Sequence, residues 1–111
     1  MTGTTRLQSS RGRELRAKKG LPTTYDSLRP LERRAVREQY TELQRGLCYW
    51  CSAPLSGPPA EDQRQKQIKR ELFPHSFFDY PVHLQHCRKT GMTEGAVHAH
   101  CNAIMWQYYG R

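Results

Sequence analysis

The residues best suited to chemistry here are four cysteines and five histidines, and most of them fall in short clusters. Cys48 and Cys51 make a CxxC pair, and His98 and Cys101 repeat that spacing as HxxC. Two such pairs, remote in sequence, suit a tetrahedral zinc site, because each turn offers two donors to one side and the ion clips the segments together. The expected ligands are Cys48, Cys51, His98 and Cys101. His100 is a substitute for His98, although its place directly beside Cys101 makes a shared turn awkward. A redox CxxC pair is an alternative that lacks the βαβ context it would need. Four thiols without a metal are the plain reading.

Between the two half-sites stand His83, Gln85, His86 and, at the end of the run, Asn102. An imidazole titrating near neutrality is suited to general-base work. His83 and His86 are an odd number of residues apart, so on a regular strand they face opposite sides. Only one of them should then share a site with Asn102.

The elements that must position these groups follow from pattern. Residues 1–24 are polar and basic, with Arg11, Arg13, Arg16, Lys18 and Lys19 against a single Glu14. They read as a flexible arm that tracks phosphates or, equally simply, as a solubilising tail. Residues 25–111 form the folded domain. Asp26 or Ser27 can cap a helix running to about Arg45, with Pro30 in its first turn and Gly46 as its stop. Its apolar stripe is Leu28, Leu31, Ala35, Val36, Tyr40, Leu43 and Leu47. Its arginines can hold a backbone or pair with Glu32, Glu38 and Glu42. Residues 52–59 are a proline-rich loop, and 61–72 suit a short surface helix. Residues 77–84 are rich in aromatic and β-branched residues and predict a strand. A turn over 91–95, a short return strand at Ala96 and Val97, and a helix from His98 or Ala99 to Tyr109 complete the chain.

The bulk numbers agree with a small stapled domain. Only 36% of the 111 residues are hydrophobic, and the mean hydropathy is −0.89. So little apolar material makes a marginal core, and a metal staple is expected. The formal net charge of +8 favours a polyanion: DNA first, RNA second. No membrane partner is expected, since no apolar run reaches the roughly 20 residues of a spanning helix. Residues 1–20 show no apolar signal segment, so the expectation is a soluble, cytoplasmic protein with reduced cysteines. No helix-turn-helix pattern stands out.

Over residues 48–109 the sequence resembles the HNH endonucleases, and within them the zinc-bound, phage-type recombination endonuclease VII group. The resemblance is most specific from Thr90-Gly91 through Gly95-Ala-Val-His-Ala-His-Cys-Asn102. It implies an α+β, ββα-metal (His-Me finger) fold, in which a β-hairpin and a helix grip one divalent ion. It implies structural zinc on Cys48, Cys51, His98 and Cys101, His98 replacing the commoner cysteine. It implies His86 as general base, Asn102 on a catalytic magnesium or manganese ion, and hydrolysis of DNA phosphodiesters. Phage or host proteins, or a second copy of the chain, are further partners it suggests.

The departures are specific. Gln85 replaces an aspartate or histidine metal ligand, and Cys87 and Arg88 stand where a carboxylate and a histidine are frequent. His83 is a candidate replacement ligand. Arg88 and Lys89 join the arm as candidate nucleic-acid contacts. Two functions follow: a metal-dependent endonuclease with a degenerate motif, or an inactive HNH-derived module that binds nucleic acid or protein.

Overall fold

The computed structural model describes residues 20–110. The arm residues Arg11, Arg13, Arg16, Lys18 and Lys19 lie outside them. Among the described residues, three helices and one hairpin make a small α+β fold: α1 (Pro30–Leu43), α2 (Glu61–Arg64), β1 (Val82–His86), β2 (Thr93–His98) and α3 (Ala99–Tyr109). The strands pair antiparallel, and the register slips between Gln85 and His86. Both α1 and α3 pack against the hairpin.

Helix α1 starts later than the capping residues suggested. Asp26 and Ser27 sit in a 3-10 turn, and Arg29 precedes Pro30 at the first helical position, where a missing N–H costs nothing. The Arg29 N–H is met by Glu32 Oε1 at 2.8 Å. Leu28, Val36 and Tyr40 are buried, whereas Leu31 and Leu43 are 79% and 66% exposed, so the buried stripe is narrower than the sequence pattern. Helix α3 carries apolar residues around most of its circumference. Ala103, Ile104 and Met105 are wholly buried, and Gly110 ends the helix at φ 68°.

Three expectations need correction. The strand expected over 77–84 begins only at Val82, because Phe77 and Asp79 donate to the Pro74 and Ser76 carbonyls in turns instead. The helix expected over 61–72 is confined to Glu61–Arg64, followed by a 3-10 turn at Arg70–Leu72. The arm does not extend to residue 24. Thr23 exchanges hydrogen bonds with Thr93, and Tyr25 N–H donates to the Gly91 carbonyl at 2.8 Å. Leu21 and Tyr25 pack against the core. No helix among the described residues is long and apolar enough to cross a membrane.

Candidate metal centre and basic cleft

Leu47 and Pro54 close a tight antiparallel turn, and Cys48 N–H donates to the Ala53 carbonyl at 2.8 Å. Ser52 takes up a positive φ of 69° to complete it. The turn aims Cys48 and Cys51 at one point. The end of β2 and the first turn of α3 bring His98 and Cys101 to the same point. The four ligand atoms lie within 4.8 Å of one another. Backbone N–H groups of Trp50 and Cys51 approach Cys48 Sγ, and that of Ala60 approaches Cys51 Sγ, at 3.3, 3.5 and 3.4 Å. Such donors stabilise thiolates.

His98 is oriented as a ligand should be. Its Nε2–H faces the Pro54 carbonyl at 2.9 Å, which leaves Nδ1 as the electron-pair donor. Nδ1 stands 3.5 Å from Cys51 Sγ and 3.6 Å from Cys101 Sγ. Ordinary zinc–sulfur and zinc–nitrogen lengths in a tetrahedron put N and S about 3.6 Å apart. His100 points elsewhere: its Nε2 meets the Gln63 carbonyl at 2.8 Å, so His98 is the histidine of the cluster.

The thiols cannot all ionise unaided. The thiol of Cys101 holds Cys48 down to about 4, with the Cys51, His98 and Trp50 backbones adding to the effect. The same hydrogen bond, with burial and neighbouring sulfurs, pushes Cys101 far up. A divalent cation resolves this conflict by letting each sulfur be a thiolate. The donor set therefore fits a structural zinc ion, and the Cys3His cluster could bind one.

A second constellation lies on the hairpin. A cleft of about 1140 Å³ opens between α1, the segment around Phe73–Tyr80, β1 and one face of α3. Arg33, Arg34, Arg37 and Arg88 line it, together with His83, Gln85, His86 and Asn102. Pro30, Arg33, Arg34, Arg37 and Glu38 follow helical spacing, so a single face of α1 forms that wall. Glu38 is the one carboxylate of the lining, and Arg34 holds it at 3.3 Å. Lys89 is exposed beside the hairpin turn and does not line the cleft.

Both histidines line this cleft, but only one of them meets Asn102. Asn102 Nδ2–H donates to Nδ1 of His83 at 3.0 Å, so His83 rather than His86 is the partner of Asn102. His86 instead stacks on Tyr25, with ring centroids 3.9 Å apart, and the Arg33 guanidinium lies 4.1 Å over the same tyrosine ring. Burial lowers the titration of both imidazoles. For His83 the Phe77 and Tyr80 carbonyls oppose the shift and Arg37 adds to it. For His86, Asp26 opposes it, while Arg33 and Arg88 reinforce it.

The position expected to hold a catalytic cation does not fit one. Gln85 is buried, and its Nε2 donates to the His86 carbonyl at 2.8 Å and to Glu94 at 3.4 Å. Gln85, Asn102 and His83 supply neutral donors only, among guanidinium groups, whereas magnesium and manganese want anionic oxygens. The Cys3His group is the one metal-ligating cluster among the described residues.

Tyr25 and Trp106 were not singled out by sequence, and the α1 arginines were read there only as groups that can hold a backbone or pair along the helix. The available signal was the i, i+4 spacing of Arg33 and Arg37; nothing local marks Tyr25 as the platform of His86. Compared with models of known families, with curated proteins and with solved structures, the chain matches none.

Proposed function

We propose that this chain is a zinc-stapled, HNH-like module that binds a nucleic-acid backbone in the cleft between α1 and β1. One observation carries the reading: four guanidinium groups line a single cleft against one, already paired, carboxylate. Phosphates satisfy that field, and arginine suits their planar, multidentate recognition. Zinc on Cys48, Cys51, His98 and Cys101 would hold the hairpin and α3 to the cysteine turn, and so keep the cleft in shape.

A second reading keeps the hydrolytic step. His86 and Asn102 line the same cleft, and burial favours the uncharged imidazole a general base needs. Since Gln85 does not fit a resident divalent ion, binding is the better-supported activity.

The two readings separate in one set of assays. Labelled oligonucleotides measured by fluorescence anisotropy should bind, with affinity that falls as salt rises, and Arg33→Ala plus Arg37→Ala should weaken binding and flatten the salt dependence. Plasmid incubated with magnesium or manganese should stay intact. Nicking that disappears with His86→Ala would establish the endonuclease instead. No binding, or binding indifferent to both arginines, would remove the cleft from the account.

A further inference from the structure

Beside the α1 arginines, part of the cleft lining is aromatic. Phe73, Phe77, Tyr80 and Trp106 line it. Phe73 packs its ring against Phe77 at 4.7 Å and against Trp106 at 5.5 Å, so the wall is a continuous cluster. Tyr80 stands at its rim, 71% exposed. No aromatic or cationic side chain among the described residues lies against the Tyr80 ring. Arg33 Nε is buried without a hydrogen-bond partner among the described residues, and Arg33 lines the cleft.

Duplex nucleic acid hides its base faces inside the stack and presents phosphates and groove edges outward. An aromatic wall therefore adds little to duplex binding. A single strand offers phosphates on one side and flat, unstacked bases on the other, and aromatic platforms along a basic groove are how such strands are held. Resting on the reading that the cleft binds nucleic acid, we infer that its ligand is a single strand. The backbone lies along Arg33 and Arg37, and a base stacks on Tyr80.

The selectivity comes from two different chemistries. Guanidinium contacts lower the affinity for any nucleic acid when removed. Stacking lowers it for the single strand alone, by roughly tenfold for each base platform lost. Arg88, whose guanidinium lies 5.2 Å over Trp106, covers part of the aromatic wall and adds a further phosphate contact.

The experiment uses the full chain with zinc and fluorescein-labelled dT20, U20 and a mixed-sequence 20-base-pair duplex, at a single fixed salt concentration. Tighter binding of dT20 or U20 than of duplex is expected, and the two strands together tell deoxyribose from ribose preference. Tyr80→Ala should weaken single-strand binding roughly tenfold and leave duplex binding unchanged, whereas Tyr80→Phe should retain it. The exposed position of Tyr80 keeps these variants folded, which circular dichroism checks. Duplex binding equal to or tighter than single-strand binding, or a Tyr80→Ala protein with unchanged strand affinity, overturns the single-strand inference while leaving the cleft as a nucleic-acid site. Loss of all binding in the unmodified protein overturns both.

Discussion

His98 presents Nε2–H to the Pro54 carbonyl at 2.9 Å, and this contact turns its Nδ1 toward Cys51 and Cys101. The bond is worth more than its own energy because it fixes which nitrogen is left to bind an ion. It also ties the cysteine turn to the end of β2. Zinc-loaded protein should then show His98 as the Nε2–H tautomer in long-range proton–nitrogen correlation spectra, with Nδ1 shifted by the metal.

Zinc bound at the same centre would set overall stability. Structural zinc contributes on the order of 10–16 kcal/mol in small domains, about as much as the whole stability of a typical domain. Elemental analysis should find about one zinc per chain. Cys101→Ser should lose the ion and the fold together, as should treatment with a strong chelator. A folded, reduced, metal-free protein would remove the staple from this account.

The far edge of β2 is paired by one side chain and by one backbone group, the Tyr49 N–H, which donates to the Ala96 carbonyl at 2.9 Å. Gln44 Oε1 accepts from Ala96 N–H at 2.9 Å, and its Nε2 donates to the Ala96 and Leu47 carbonyls at 2.9 and 2.7 Å. Gly95 makes room for this: a Cβ there would lie 2.7 Å from Gln44 Oε1 and 2.8 Å from Tyr49 Cγ. Gly95→Ala should cost about 1–3 kcal/mol by overpacking, and Gln44→Ala a similar amount by orphaning backbone groups. Thermal melts of the double variant should show less than the sum, because the alanine already displaces the glutamine.

Zinc ligands, the hairpin and the closing helix were legible because each is local: a four-residue spacing, a threonine-glycine turn, a run of apolar residues. The bounds of β1 were not. Phe77 and Phe78 fall in the run expected to be a strand, yet they form an aromatic cluster in turns with Phe73, which packs on Trp106 far along the sequence. Pairing Asn102 with His83 was equally out of reach, since which histidine faces α3 is decided by how the hairpin packs on that helix rather than by either histidine.

Half-buried His83 makes stability depend on pH with a definite sign. Its titration in the folded chain lies below the ordinary value, chiefly through burial. As pH falls through about 6.5 the unfolded chain takes up the proton first. The stability His83 contributes is complete above that point and is lost as pH falls toward the lower, folded value. Urea melts at pH 7.5 and 5.5 should therefore differ more for the unmodified protein than for His83→Gln. Equal differences would mean that His83 is not held uncharged.

If hydrolysis survives at all, Gln85 is where it is limited. Gln85→Asp adds an anionic oxygen to the cleft that Asn102 also lines and should introduce or raise metal-dependent nicking, with Asn102→Ala abolishing the gain. Arg88 opposes any cation there, so Gln85→Asp with Arg88→His is the stronger restoration. A double variant that leaves plasmid, single-stranded and branched DNA intact would confine the chain to binding.

The most direct measurement is a titration of zinc-loaded, nitrogen-labelled protein with a short oligonucleotide, followed by proton–nitrogen spectra. The account predicts shifts concentrated on the Arg33 and Arg37 side-chain N–H groups, the His83 and His86 rings and the Trp106 indole. Signals of the Cys48–Cys51 turn should stay in place. Shifts confined to residues 1–19, or spread over surfaces away from the cleft, would contradict it.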